Sequence, residues 1–213
     1  MSEVKHPKHG FMIERIAFFS DAVFAIAITL MAIEIHPPHV SKGDTDAIVW
    51  EKFKEILPEF LGLLVSFWLI GSAWLRHHQL FKYVDNFDIR FMANNLWLLF
   101  TIILFPFSTS FLFNSIFAGG VTKLQVFFYL GLPLASNIIL YVLYKQVNKK
   151  HLKGTADLNF RKAVFSQGVM IISFSLALTW IGIMPIEYHP FGYIFLGVGP
   201  FIINIYKKRF KTK

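Results

Sequence analysis

The chain has 213 residues, of which 55% are hydrophobic, 17% aromatic and only 16% charged. This composition excludes a disordered chain, and it argues against an ordinary soluble domain, where about a quarter of residues carry charge. The formal net charge is +8, from 21 Lys and Arg against 13 Asp and Glu. In so apolar a chain that surplus is first a question of membrane sidedness, and nucleic acid is not an expected partner. There is no cysteine, so disulfides, thiolate chemistry and Cys-based metal sites are excluded.

A membrane-crossing helix needs about 20 mostly apolar residues. Six segments qualify, at roughly 13–35, 56–75, 91–113, 124–144, 163–184 and 191–206. The predicted fold class is an all-α membrane protein of six transmembrane helices, with residues 1–213 forming a single six-helix unit.

In the first span, Lys5 and Lys8 followed by Ala25-Ile26-Ala27 imitate a secretory signal, but Arg15, Ser20 and Asp21 interrupt the apolar stretch that a signal requires. It is read as a retained helix, stopped by His36-Pro37-Pro38. Residues 42–46 form a polar turn. Trp50, Phe53 and Ile56 then fall at helical spacing and are expected to extend the second span. In the third span, Asn94 and Asn95 are expected to hydrogen-bond across helices. Pro106 and, in the fourth span, Pro133 are expected to kink their helices. Residues 154–158 form a turn in the longest loop. The last span is the shortest and is interrupted by Gly197, Gly199 and Pro200.

The charges test this plan. With both termini cytoplasmic, 17 Lys and Arg fall on the inside and 4 (Lys42, Lys52, Lys54 and Lys123) on the outside. That is the bias the positive-inside rule predicts for a multi-pass membrane protein. The basic stretches 145–153 and 207–213 lie where anionic headgroups attract them.

Charged groups within a span are costly and ask for a reason. Asp21 sits about two turns into the first span, with Arg15, Arg76 and the His77-His78 pair at the same level as candidate partners. It either ties helices together or attracts cations at a pore mouth. Further along, Ile26, Leu30 and Ile33 fall at i, i+4 and i+7 and stack on one face, with Thr29 at its edge. The flanking Ala22, Ala25, Ala27 and Ala32 permit close helix approach. Such a stripe serves packing, or a dewetting constriction where several copies meet around an axis.

The segment Arg15-Ile16-Ala17-Phe18-Phe19-Ser20-Asp21-Ala22-Val23-Phe24-Ala25-Ile26-Ala27-Ile28-Thr29-Leu30 resembles the first-helix signature of the transmembrane protein 175 family, R-x-x-x-F-S-D-x-x-x-A-I-x-x-T-L. Every fixed position is matched. The resemblance implies a potassium-selective cation channel assembled as a homotetramer, with the first helix of each subunit lining the pore. It implies Ile26 at the narrow neck, Leu30 and Ile33 in further apolar layers, and Thr29 in selectivity. It also implies a structural role for Arg15, Phe19, Ser20 and Asp21, joined by His77, in holding the first three helices together.

No Thr-Val-Gly-Tyr-Gly segment and no re-entrant pore loop occur, so selectivity is expected to come from pore width and side chains. Rubidium and caesium are expected to pass with potassium. A secondary transporter using Asp21 and the Gly197–Pro200 interruption is the alternative. His36, His39, His77, His78 and Glu187 form no metal-ligand or catalytic spacing, so no cofactor, metal or enzyme activity is expected.

Overall fold

The computed structural model describes residues 7–116, 120–148 and 158–209, all organised around helices. Lys5, Lys149, Lys150, Lys153, Lys211 and Lys213, and the turn at 154–157, lie outside the described residues.

Helix α1 runs Pro7–Ile33, through an apolar stretch that lacks Gly and Pro from Phe11 onward, and it ends before the Pro37-Pro38 pair. A short α2, Asp46–Glu55, precedes α3, Leu57–Phe81. The expected extension of the second span is thus a separate helix. Pro58 lacks the N–H that would continue the ladder, so the chain restarts at Ile56. The loop before α2 is pinned by Asp44, which accepts from the Ser41 N–H at 2.8 Å and from Lys52 Nζ at 2.6 Å.

The third span is divided in the same way. Helix α4, Ile89–Ile103, gives way at Leu104 to α5, Phe105–Phe113, whose first turn holds Pro106. Instead of a kink there is a break and a restart. Helix α4 is capped by Asp88, whose side chain accepts from the Phe91 N–H. Helix α6, Lys123–Gln146, starts with a capping box between Thr122 and Gln125 and runs unbroken through Pro133. Helix α7 is Leu158–Ile183. A 3-10 turn, Ile186–Tyr188, and the short α8, His189–Gly192, lead to α9, Ile194–Arg209.

The interruption expected at Gly197, Gly199 and Pro200 falls earlier, at Tyr193, and α9 is continuous through all three. Gly199 serves a close approach instead: a Cβ there would overlap Ser173 Oγ of α7.

Among the described residues, five helical segments are long and apolar enough to cross a membrane: 11–33, 57–81, 89–113, 123–146 and 158–183. The sixth expected span is α9, whose 16 residues reach about 24 Å, short of the roughly 30 Å hydrocarbon core.

Packing runs from α1 through α3, α4 and α5 to α6, then to α7 and α9. Helices α4 to α6 form the middle: half of the most apolar window in 89–113 and in 123–146 is buried, against 22% in α1. Three polar pairings bridge this interior. Ser66 Oγ lies 2.7 Å from Thr109 Oγ1 and 2.9 Å from Tyr129 Oη, and Thr101 Oγ1 lies 2.7 Å from Ser136 Oγ. In hydrocarbon such hydroxyls need each other, because water and lipid supply no partner.

Candidate ion pathway along the first helix

Helix α1 presents two different faces. Ser20, Phe24, Ala27 and Met31 recur at i, i+4, i+7 and i+11, and all four are buried against α3, α4 and α5. Small Ala27 and flexible Met31 fit a close interface. Phe24 fills the remaining space beside the His77 ring, 5.5 Å between centroids.

Near one end of this face a relay of hydrogen bonds joins three spans. Asn95 Nδ2 of α4 donates to Ser20 Oγ of α1 at 3.0 Å, and Ser20 Oγ donates to the Ile16 carbonyl at 2.8 Å. His77 Nε2 of α3 lies 2.8 Å from Asn95 Oδ1. Since Oδ1 only accepts, Nε2 carries the hydrogen. All three bonds point the same way, from His77 through Asn95 and Ser20 to the α1 backbone, an arrangement in which each bond polarises the next. Ser20, His77 and Asn95 are all buried, so each depends on the other two.

Asp21 has a different partner from those expected. Its Oδ1 accepts from Trp74 Nε1 at 2.8 Å, and neither Arg15, Arg76 nor His78 is bonded to it. The indole is a neutral donor that tolerates the membrane, and it binds the carboxylate to α3 without bringing in a second charge. Trp74 lies three residues before His77 on the same face of α3. That spacing was readable in the sequence, but its pairing with a residue 53 positions away was not.

Phe19 and Arg15 depart from the expected network. Both are exposed and line a cavity of about 370 Å³ between α1 and α4, together with Phe87 and Leu96. The Arg15 guanidinium lies over the Phe11 ring at 5.9 Å. Phe19 precedes Ile26 by seven residues, which places it on the opposite face from Ser20.

That opposite face carries the stripe. Ile26 is 57% exposed, Leu30 42% and Ile33 70%, and they span about 10 Å along the axis. Thr29 is exposed beside them, and its Oγ1 donates to the Ile26 carbonyl at 2.9 Å. With its one hydrogen turned back to the helix, the hydroxyl oxygen presents lone pairs outward. Ala22, Ala25 and Ala32 are exposed along the same side.

Five apolar spans and an interior bridged by neutral polar side chains define an all-helical, multi-pass membrane protein. Residues 15–106, which hold most of α1, the polar relay and most of the third span, match the family model described as the endosomal/lysosomal potassium channel TMEM175. A potassium channel of Streptomyces collinus is 39% identical over 98 residues, 46% of each chain. A potassium channel of a Chryseobacterium species is 35% identical over 133 residues, 62% of this chain and 63% of that one. The matched stretches thus span about half to two thirds of these relatives. The fold is similar over more of its length to the crystal structure of a lysosomal potassium-selective channel TMEM175 homolog from Chamaesiphon minutus. That match has a TM-score of 0.72 and 25% identity, and covers 93% of this chain and 97% of that one. Residues 15–106 are thus similar to the TMEM175 family model, and the fold over most of the chain is similar to that of a prokaryotic TMEM175 homolog.

Proposed function

We propose that the chain is a subunit of a potassium-selective cation channel of a prokaryotic plasma membrane, with both termini cytoplasmic. Six spans, the α8–α9 segment being the sixth, make up each subunit, and four subunits set their α1 helices around one axis. The observation that carries this reading is the division of α1: its polar and aromatic face is used up within the subunit, and its Ile26-Leu30-Ile33 face is left exposed. One slender helix cannot enclose a pore, and four such faces can.

Ile26 is the neck. An apolar ring offers no ligand, so a crossing ion sheds water, and this costs less for potassium, rubidium and caesium than for strongly hydrated sodium. The Thr29 oxygens, one turn away, replace part of the lost hydration. Leu30 and Ile33 continue the apolar lining, and a slight narrowing dewets it and closes the pore. Ser20, Asn95, His77, Asp21 and Trp74 hold α1 against its own subunit and take no part in the neck.

Flux from a potassium gradient in proteoliposomes tests the reading: potassium should move without a proton gradient, sodium more slowly, and cross-linking should stop at four subunits. A strict proton requirement would instead favour a transporter built on Asp21.

A further inference from the structure

Two adjoining cavities between α3 and α7 share Arg76 and Ser166. The larger, about 440 Å³, opens at the end of α3 and is polar: Gln79, Lys82, Asn159 and Lys162 face it, and no described lining residue is acidic. The smaller, about 250 Å³, runs the other way, into the spans, between Trp68 of α3, Met170 of α7 and Pro200 and Ile203 of α9. Trp68 lies two turns deeper along α3 than Arg76, and Met170 one turn deeper along α7 than Ser166. A cationic pocket at the end of α3 therefore continues into a cleft within the spans, where Trp68, Met170, Pro200 and Ile203 supply apolar surface beside Ser72 and Asn204.

Arg76 stands at the junction. Its backbone is fixed, since the buried Tyr144 donates its hydroxyl to the Arg76 carbonyl at 2.9 Å. Its guanidinium meets only Ser72 Oγ, at a long 3.4 Å, and Nε is buried with no protein partner among the described residues. A guanidinium removed from water without a counter-charge is costly, and its planar fork matches phosphate oxygens.

We propose that these two cavities are one binding site for an anionic phospholipid, its phosphate on Arg76 and Lys82 and an acyl chain in the cleft beside Trp68 and Met170. Basic pockets between spans select such headgroups, and a zwitterionic lipid would bring a cation against the lysines. A free phosphate would use the basic pocket and leave the apolar wall of Trp68, Met170, Pro200 and Ile203 without a partner. The inference needs the chain to cross a membrane and does not depend on which ion it conducts.

The test titrates the full chain, purified in a neutral detergent, with phosphatidylglycerol, phosphatidylcholine of the same acyl chains, or inorganic phosphate, and reads the thermal unfolding midpoint. Phosphatidylglycerol should raise it saturably, and the other two should not. Arg76→Gln should weaken the apparent affinity about tenfold, as expected for one lost charge-assisted contact, and Lys82→Glu on the exposed rim about threefold. Lys54→Gln, on α2, should change nothing. If Arg76→Gln fails to fold, the Lys82→Glu arm still decides. Equal shifts with phosphatidylcholine would overturn the proposal. So would an equal shift with inorganic phosphate, which would make this a free-anion pocket, or an undiminished response in the variants that fold.

Discussion

The two faces of α1 are built from different residue types and end in opposite circumstances. One, Ser20-Phe24-Ala27-Met31, is buried and tied by hydrogen bonds to α3 and α4. The other, Ile26-Leu30-Ile33, is exposed, although it is the more uniformly aliphatic. In water this would be inverted. In a bilayer lipid satisfies an aliphatic face, so burial follows polarity and shape, and the polar positions mark the interior. On the proposed pathway, stability and conduction are assigned to opposite sides of one helix, and substitutions on the two sides should separate them.

The largest effect is expected from Phe24→Ala. It empties the space beside His77 and should cost about 3 kcal/mol of stability, read as a lower unfolding midpoint in detergent. Asn95→Leu should come next, at about 2 kcal/mol, because it leaves His77 Nε2 and Ser20 Oγ buried with one bond fewer each. In whatever channels still fold, either variant should leave the ion preference nearly intact if the division holds. Thr29→Ala should do the reverse. Its side chain bonds only to its own helix, so stability should move by less than about 0.5 kcal/mol while potassium preference over sodium falls in flux assays.

The smallest effect lies far from both faces. Asp44, held by Lys52 and the Ser41 N–H, keeps its carboxyl below the usual range. A depressed carboxyl stabilises the fold at every pH above its unfolded value, and that contribution disappears as acid takes the pH down through the folded value. Hydrogen-exchange protection in the loop before α2, referred to the intrinsic exchange rate at each pH, should therefore be flat around neutrality and fall only in acid. Asp44→Asn should abolish that acid response.

Much of the fold could be read from the chain because its physics is local. Runs of about 20 apolar residues placed five spans to within a few residues, and Pro58 and Pro106 lie just after breaks. Proline was a poorer guide elsewhere. Pro133 and Pro200 sit inside continuous helices, where glycine neighbours and packing accommodate them, and the chain turns at Tyr193 instead. The stripe of Ile26, Leu30 and Ile33 was legible from spacing, but not its exposure, which depends on what α3 and α4 bring to the other side. Asp21 was conspicuous as a carboxylate within a span, yet its bond to Trp74 joins residues 53 apart, and nothing local favours an indole over the nearby cations. Phe19 stands beside Ser20 in sequence, and about 100° of helical rotation puts it on the exposed side.

The central claim is that the exposed stripe is the conduction path and Ile26 its neck. It is tested most directly by potassium and sodium flux through reconstituted Ile26→Asn channels beside the unaltered protein. The account predicts faster flux of both ions, potassium preference falling toward none, and an unfolding midpoint close to that of the unaltered chain. Unchanged flux and unchanged preference in a well-folded Ile26→Asn channel would contradict it.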